Sequence, residues 1–510
     1  MLREARIREW SPTDQLVFAA LVPSDHRLRQ IAAAIDFEGF RESLAEYYNP
    51  KMGRPGDPVL MTKVIFLQYF YSLSDAQIIE RVRTDVATRW FLELGLDDQP
   101  PDDSTLSVFR SRLGVAGTQR VMDELIGQCR QHGLLKYRLR LKDATHVVAD
   151  VAIPATLTLL AEVRKRLLSA ARPFAADRVV AAESRLVEIR ATTEGRGDDV
   201  RLVPRVALMR EILAWAEEVE RPADADPSAW TRFEQARALA HKIVGEAEDP
   251  QVGDRTRSVQ DQDARRGKHG EYFDGFLVDV LMDADSEIIT AINVLPANGA
   301  EGADALTLIR QEEAVTGEDV AAISIDGAGY DGKLLRELQD PADLNLDVYV
   351  PSKESATPDK FSPADFIQDS EQQTVTCPAG EKSHYRQRDE SQHTTFYRFK
   401  QATCVGCPLL DRCLGRIPQG PFGRTVRKND YEPEYNAVRA KAATPAYIAV
   451  KKEHPKIERK LSELVRRHGA RRARYRGQPK VLCQQIWTAV TVNIKRMTKL
   501  LMPRLATVAA

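Results

Sequence analysis

The stretch Leu139–Ile153, LRLKDATHVVADVAI, is where the chain changes its periodicity. Apolar and β-branched residues alternate along it, the period-2 pattern of one or two strands. The sequence before it has helical spacing, so this stretch decides for an α/β fold over an all-helical one. It also carries Asp143, in Lys142-Asp143-Ala144-Thr145. A lone Asp at a strand end is usually a cap or turn residue. It gains chemical meaning only with partners.

Upstream, Asp36–Tyr47, Pro58–Tyr71, Ser74–Arg83, Val86–Leu94, Ser104–Leu113 and Thr118–His132 place apolar residues at helical intervals. They are separated at turn and capping residues, notably Gly53-Arg54-Pro55-Gly56 and Pro100–Ser104. Ser74–Arg83 with Val86–Leu94 is a candidate helix-turn-helix. Arg81, Arg83 and Arg89 are few for base readout, however, and Trp90, Phe91 and Leu92 read as core, so packing is the favoured role.

Downstream, Leu157–Glu248 is helical again and is expected to form two or three long helices. It breaks at Asp249-Pro250, and a polar linker runs to Gly270. Strand patterns return at Phe276–Met282 and Ile288–Val294, then a helix at Ala303–Thr316 and a strand at Val320–Ile325. This order outlines a mixed sheet into which a helical segment is inserted. Lys353–Asn429 is polar and reads as loop. Closing helices are expected at Tyr435–Thr444, Pro455–His468 and Gln478–Leu501.

With 510 residues the chain should form two to four structural units. Its formal net charge of -1 points to no polyanionic partner, but the charge is unevenly placed. Lys451–Arg504 holds sixteen Lys/Arg against three Glu. Within it, Pro455–Gly477 reads PKIERKLSELVRRHGARRARYRG, with Ile457, Leu461, Leu464 and Val465 on an apolar helix face. Arg466, Arg467, Arg471, Arg472, Arg474, Arg476 and Lys480 are candidate DNA-phosphate contacts; a solvated basic face is the plainer alternative. Tyr475 could stack on an unpaired base or pack inside. No apolar run is long enough to span a membrane and no signal-peptide core is visible, so a cytoplasmic, nucleoid-associated location is expected.

Three carboxylates stand where elements could aim them at one site. Asp143 lies in the first strand region, Asp326 opens the turn Asp326-Gly327-Ala328-Gly329-Tyr330, and Glu458 heads a helix. Such a set can hold two Mg²⁺ or Mn²⁺ ions about 3.5–4 Å apart, one for the attacking oxygen and one for the leaving oxygen of a phosphodiester. Asp150, Asp279 and Glu463 compete for the same roles.

Taken together, five ordered blocks resemble an insertion-sequence transposase of the DDE, RNase H-like class. The region from Gly53 to Arg110, with FLQYFYSLSDAQIIERV, RWFLELGL and PDDSTLSVFRSRL, resembles the family's helical N-terminal domain. Asp143-Ala144-Thr145 is similar to its first-aspartate motif, commonly Asp-Gly-Thr. Asp261–Arg265 with Tyr272–Phe276 resembles the strand pair that follows. Asp326–Tyr330 is similar to its second-aspartate motif, with one extra residue before Gly329-Tyr330. Ile457-Glu458-Arg459, Arg474–Gly477 and Asn493–Arg496 resemble its glutamate region. Some relatives carry a basic residue seven positions after the glutamate; Val465 stands there, followed by Arg466.

The resemblance implies a helical N-terminal domain over 1–135 and an RNase H-like catalytic domain over 136–156, 251–350 and 431–510. Insertions over 157–250 and 351–430 interrupt it. It implies Asp143, Asp326 and Glu458 as the metal-binding triad. It further implies double-stranded DNA as partner (element ends and target), a homodimer on that DNA, and cleavage followed by strand transfer. A repressor derived from a transposase and a nuclease without joining activity are the rival readings.

Six cysteines in this length do not make a disulfide scaffold. Cys404-x2-Cys407, with Cys413 and the distant Cys377, supplies four thiols for a structural Zn²⁺, and His384 is an alternative ligand. Four small buried thiols are the competing reading. Cys129 and Cys483 read as core.

Overall fold

The computed structural model describes residues 2–3, 9–49, 51, 56–249, 251–300, 302, 304–352, 360–369, 371–416 and 419–508. Gly53, Arg54, Pro55, Pro250, Ala303 and Lys353, used above to mark motifs or boundaries, lie outside them.

The period-2 stretch forms β1 (Arg140–Val148). It runs antiparallel to the long β3 (Glu271–Asp283), which pairs on with β2 (Arg265–His269) and β4 (Ile289–Pro296). On its other edge β1 runs parallel to β5 (Ala322–Ile325), which is parallel to β6 (Asp347–Tyr349). The result is a six-stranded mixed sheet. The polar linker expected to run to Gly270 therefore contains a strand. Its pairing with β3 comes from the backbone, which an apolar pattern does not report.

Alternation along the strands separates two chemically different faces. Leu141 and Val147 of β1, with Val278, Val280 and Met282 of β3, join the core formed with the N-terminal and C-terminal helices. Leu281, Ile323 and Ile325 face a second core with the helices Ala305–Thr316 and Gly332–Leu338. Between the layers lies a fully buried ion network. Arg140 Nε donates to Glu312 at 2.8 Å and Arg140 Nη1 to Asp283 at 2.6 Å, joining β1, β3 and the Ala305–Thr316 helix.

The N-terminal region is helical, with two helices that periodicity alone did not suggest, Pro12–Leu21 and Arg27–Ala34. Asp103–Gln131 is interrupted at Gly114 (φ 55, ψ -154), whose backbone is not helical, so it consists of two helices meeting at a kink, as the expected Ser104–Leu113 and Thr118–His132 have it. Only glycine adopts that backbone conformation without strain. In the helix-turn-helix candidate, buried Arg89 donates to the carbonyls of Val82, Leu96 and Asp98. It serves packing.

The insertion holds four helices, not two or three: Thr156–Ala171, Ala176–Thr193, Asp198–Glu217 and Pro227–Glu248. They enclose a core of their own. The segment read as loop is instead a small β unit. β7 (Ile367–Asp369) pairs with β8 (Thr374–Thr376), and β9 (Tyr385–Asp389), β10 (Thr394–Lys400) and β11 (Phe422–Asn429) form a three-stranded antiparallel sheet. Its strands are short and, apart from β10, bury few side chains, which is why their pattern is faint.

The helix Gln478–Val508 ties the molecule together, packing on Asp103–Gln131, Pro58–Phe70 and β4. Asn493, fully buried, donates through Nδ2 to the Ile289 carbonyl at 2.7 Å and accepts from the Ile289 N–H at 2.9 Å.

Candidate active site

The parallel pairing of β1 and β5 sets Lys142 beside Ile325. One residue further along both strands are Asp143 and Asp326. Odd-numbered residues of β1 face the C-terminal helices, so Asp143 points that way, as Leu141 and Val147 do. The helix Pro455–His468 crosses that face, anchored by Ile457, Leu461 and Leu464. Glu458, in its first turn, looks across at the two aspartates. Asp143, Asp326 and Glu458 line one cleft of about 300 Å³ together with Ser324, His454 and Lys451.

Each aspartate is held locally. Asp326 Oδ1 accepts from the Ala328 N–H at 3.0 Å, capping a single 3₁₀ turn over Gly327–Gly329. That turn absorbs the extra residue of the second motif. It needs Gly329, where an added Cβ would come within 2.8 Å of the Ile325 Cβ. Tyr330 then stacks on Tyr435 at 4.8 Å. Asp143 accepts from the Ala144 N–H at 2.8 Å. Its carboxyl is nevertheless pushed up to about 6, mainly by burial, and further by the charges of Asp326 and Glu458. A carboxyl whose charged form is disfavoured by burial and by two neighbouring carboxylates makes a place where a cation is welcome.

The competitors are engaged elsewhere. Asp279 lies on the opposite face of the sheet, fully buried and paired with Lys142 at 3.0 Å. Glu463 accepts from Lys495 at 2.6 Å and from Lys460 at 3.2 Å. Although burial opposes it, these partners lower its pKa to about 2. Asp150 is exposed beyond β1.

Sequence reasoning missed His454 and Lys451. His454 sits between the helices Pro445–Glu453 and Pro455–His468, its Nδ1 3.1 Å from the Ser324 hydroxyl. Burial lowers its pKa, against the pull of Asp326 and Glu458. The signal was its position four residues before Glu458, one turn back on the same side. Lys451 brings a positive charge to the cleft from seven residues before the glutamate, not seven after.

The basic stretch divides by direction. Arg466, Arg467, Arg472, Arg476 and Lys480 are exposed. Arg471 donates to the His146 carbonyl at 2.7 Å, and Arg474 to the Leu73 carbonyl at 3.1 Å while lying over the Tyr69 ring. These two fasten the loop to β1 and to the N-terminal helices. Tyr475 is packed beside Arg110, with burial raising its hydroxyl pKa.

Cys377, Cys404, Cys407 and Cys413 line one small cavity in the β unit, whereas His384 is exposed outside it. Backbone N–H groups point at two of the sulfurs: Leu409 to Cys407 at 3.4 Å and Arg424 to Cys404 at 3.5 Å. Among the described residues, no three His, Cys, Asp or Glu side chains stand grouped to hold an ion as they are, in the cleft or in the cysteine cavity. Cys129 is buried in the main core and Cys483 is half-buried.

Two family descriptions match the chain: "Transposase domain (DUF772)" over residues 16–112 and "Transposase DDE domain" over residues 376–498. Together the two matches support an insertion-sequence DDE transposase. The first match covers the helical N-terminal region of this transposase. The second takes in Glu458 and all four clustered cysteines but stops short of both aspartates. An uncharacterized protein of Rhizobium meliloti, ORF8 in the nfe locus, is 26% identical over 117 residues, 22% of this chain and 56% of that protein. The transposase thus spans about half the length of that curated relative. No solved structure matches it. No helix among the described residues is long and apolar enough to cross a membrane.

Proposed function

We infer that the chain is a DNA transposase that cuts the ends of its own mobile element and joins them to target DNA. The observation that carries this reading is the meeting of Asp143 and Asp326 at adjacent positions of two parallel strands, with Glu458 facing them across one cleft. The spatial order β4-β3-β1-β5-β6, with only β3 antiparallel to its neighbours, supports an RNase H-like catalytic sheet. The donor set suits hard divalent cations, since all three groups are carboxylates and Asp143 is already destabilised in its charged form.

Two Mg²⁺ or Mn²⁺ ions, when bound, would activate the attacking oxygen and neutralise the leaving oxygen. Asp143, Asp326 and Glu458 would hold them. A water oxygen attacks the phosphorus, the P–O bond to the strand's 3′ oxygen breaks, and a free 3′-hydroxyl is left. That hydroxyl then attacks a target phosphodiester, forming one P–O bond as another breaks, so joining needs no external energy source. His454, uncharged at neutral pH, positions the start of the Glu458 helix on β5 through Ser324. Lys451 offers its ammonium to substrate phosphate. We also assign a structural Zn²⁺ to the four clustered thiols, on the donor chemistry and on the two N–H groups directed at sulfur.

The test is metal-dependent cleavage of duplex carrying the element end. Asp326→Ala should lower the rate at least about 1,000-fold, a loss expected of a metal ligand in a site that works by charge stabilisation. Equal rates for wild type and variant would remove Asp326 from the site. Cleavage without joining would leave a nuclease.

A further inference from the structure

We propose that this transposase has a second DNA-backbone site on the far side of its catalytic helix, holding a duplex segment other than the one in the cleft. The proposal rests on the DNA-processing function above and adds a location to it. Around the helix Pro455–His468, residues advance by about 100° each. Lys460, Glu463 and Arg467 therefore lie about 200°, 140° and 180° from Glu458. They face away from the cleft into another cavity of about 630 Å³, between the N-terminal helices, the β3–β4 turn and the helix Gln478–Val508.

That cavity is lined by six cations, Arg27, Lys460, Arg467, Lys495, Arg496 and Lys499, against two carboxylates, Glu287 and Glu463. The carboxylates are already paired with the inner three cations: Glu463 with Lys460 and Lys495, Glu287 with Arg496. Among the described residues no carboxylate pairs with Arg27, Arg467 or Lys499, and all three are exposed. Three separate elements thus present unpaired cations at one opening, above a floor whose own charges are balanced. Lysine and arginine on a rim above an ordered floor suit a repeating anion, and the phosphodiester backbone is the one this protein must hold. A phosphate bound at Glu458 and one bound at Arg467 lie on opposite sides of a helix. The two contacts cannot belong to one short stretch of backbone at the cleft, so Arg467 serves a DNA segment other than the one beside Glu458.

The experiment uses the full chain carrying Arg27→Ala, Arg467→Ala and Lys499→Ala together. Binding to a long duplex bearing the element end is measured from 50 to 300 mM salt. Affinity at the lowest salt should fall at least ten-fold. The slope of log affinity against log salt should become shallower by about 2 to 3, at roughly 0.9 per lost phosphate contact. Metal-dependent cleavage of a short duplex spanning only the cut site should be unchanged at saturating protein, and the melting temperature should stay within a degree or two. Unchanged affinity and slope overturn the proposal. So does a triple variant that loses calorimetric binding of inorganic tripolyphosphate yet keeps the wild-type DNA slope, since the cavity would then serve a small polyphosphate. Asp326→Asn separates the two claims: it should abolish cleavage and leave the salt slope intact. If the wild type shows no cleavage while the triple variant still loses slope, the catalytic reading fails and the second site stands.

Discussion

Asp143 is held in the fold at a cost that its proposed role as a metal ligand would explain. Its pKa of about 6 lies above that of a free carboxyl, so the folded state binds this proton more tightly than the unfolded state. The associated stability is present at low pH and is lost as pH rises through about 6. Asp143→Asn should therefore raise the melting temperature of metal-free protein at pH 7.5, by at most about 3 kcal/mol of stability, and abolish cleavage. The stability gap should shrink at pH 4; a gap independent of pH would mean that charge is not its source. For the same reason, the Mg²⁺ concentration needed for half-maximal cleavage should climb as pH falls below 6. That Asp143 and Asp326 deserved to be considered together was suggested in the sequence by the short motifs around them, and the structure sets both in one cleft. His454 could not be found in that way, because a helix start expected at Pro455 left it outside the element, and its partner Ser324 is 130 residues away.

At the scale of elements, β1 owes its place to opposite chemistries on its two sides. Its Asp143 side must stay open to a cleft, and the core side is pinned by Arg140. Arg140→Met removes the cation from two fully buried carboxylates, Asp283 and Glu312, and should cost about 3–5 kcal/mol in denaturant unfolding. A loss under 1 kcal/mol would show that the network is dispensable. The β unit is held differently. Among the described residues its core has five buried hydrophobics, Phe366, Val375, Tyr397, Phe399 and Val426, few for a unit of this size without a staple. Purified protein should carry one Zn²⁺ per chain. Cys404→Ser with Cys407→Ser should remove it and make residues 360–430 the first site of proteolysis. Absence of metal from protein grown with zinc would rule the staple out. That this segment is folded at all was not legible in the sequence. Strands of three to eight residues, most of them only partly buried, leave little alternation to read outside β10, and the cysteines were the clearest clue.

At the scale of the whole molecule, the sequence order of the pieces is not their spatial order. The inserted helices have their own core, and an isolated fragment 156–260 is expected to show helical circular dichroism and a cooperative melt. A non-cooperative melt would mean that the bundle depends on the sheet. The alternation of helical and strand patterns made this insertion visible, but its four-helix count was obscured by uniform composition. The N-terminal helices and the sheet behave oppositely, because they share one continuous core with the helix Gln478–Val508.

That shared helix has a consequence for how the protein is made. A ribosome delivers the N-terminal helices and most of the sheet long before it delivers Gln478–Val508, and Asn493 is what satisfies the backbone of Ile289 at the edge of β4. Until then the nascent chain has an unfilled groove where that helix belongs. The carboxylate of Glu458, which leaves the ribosome only shortly before that helix, is equally absent. Chains interrupted before Glu458 therefore lack both the third carboxylate of the cleft and the helix that completes the shared core.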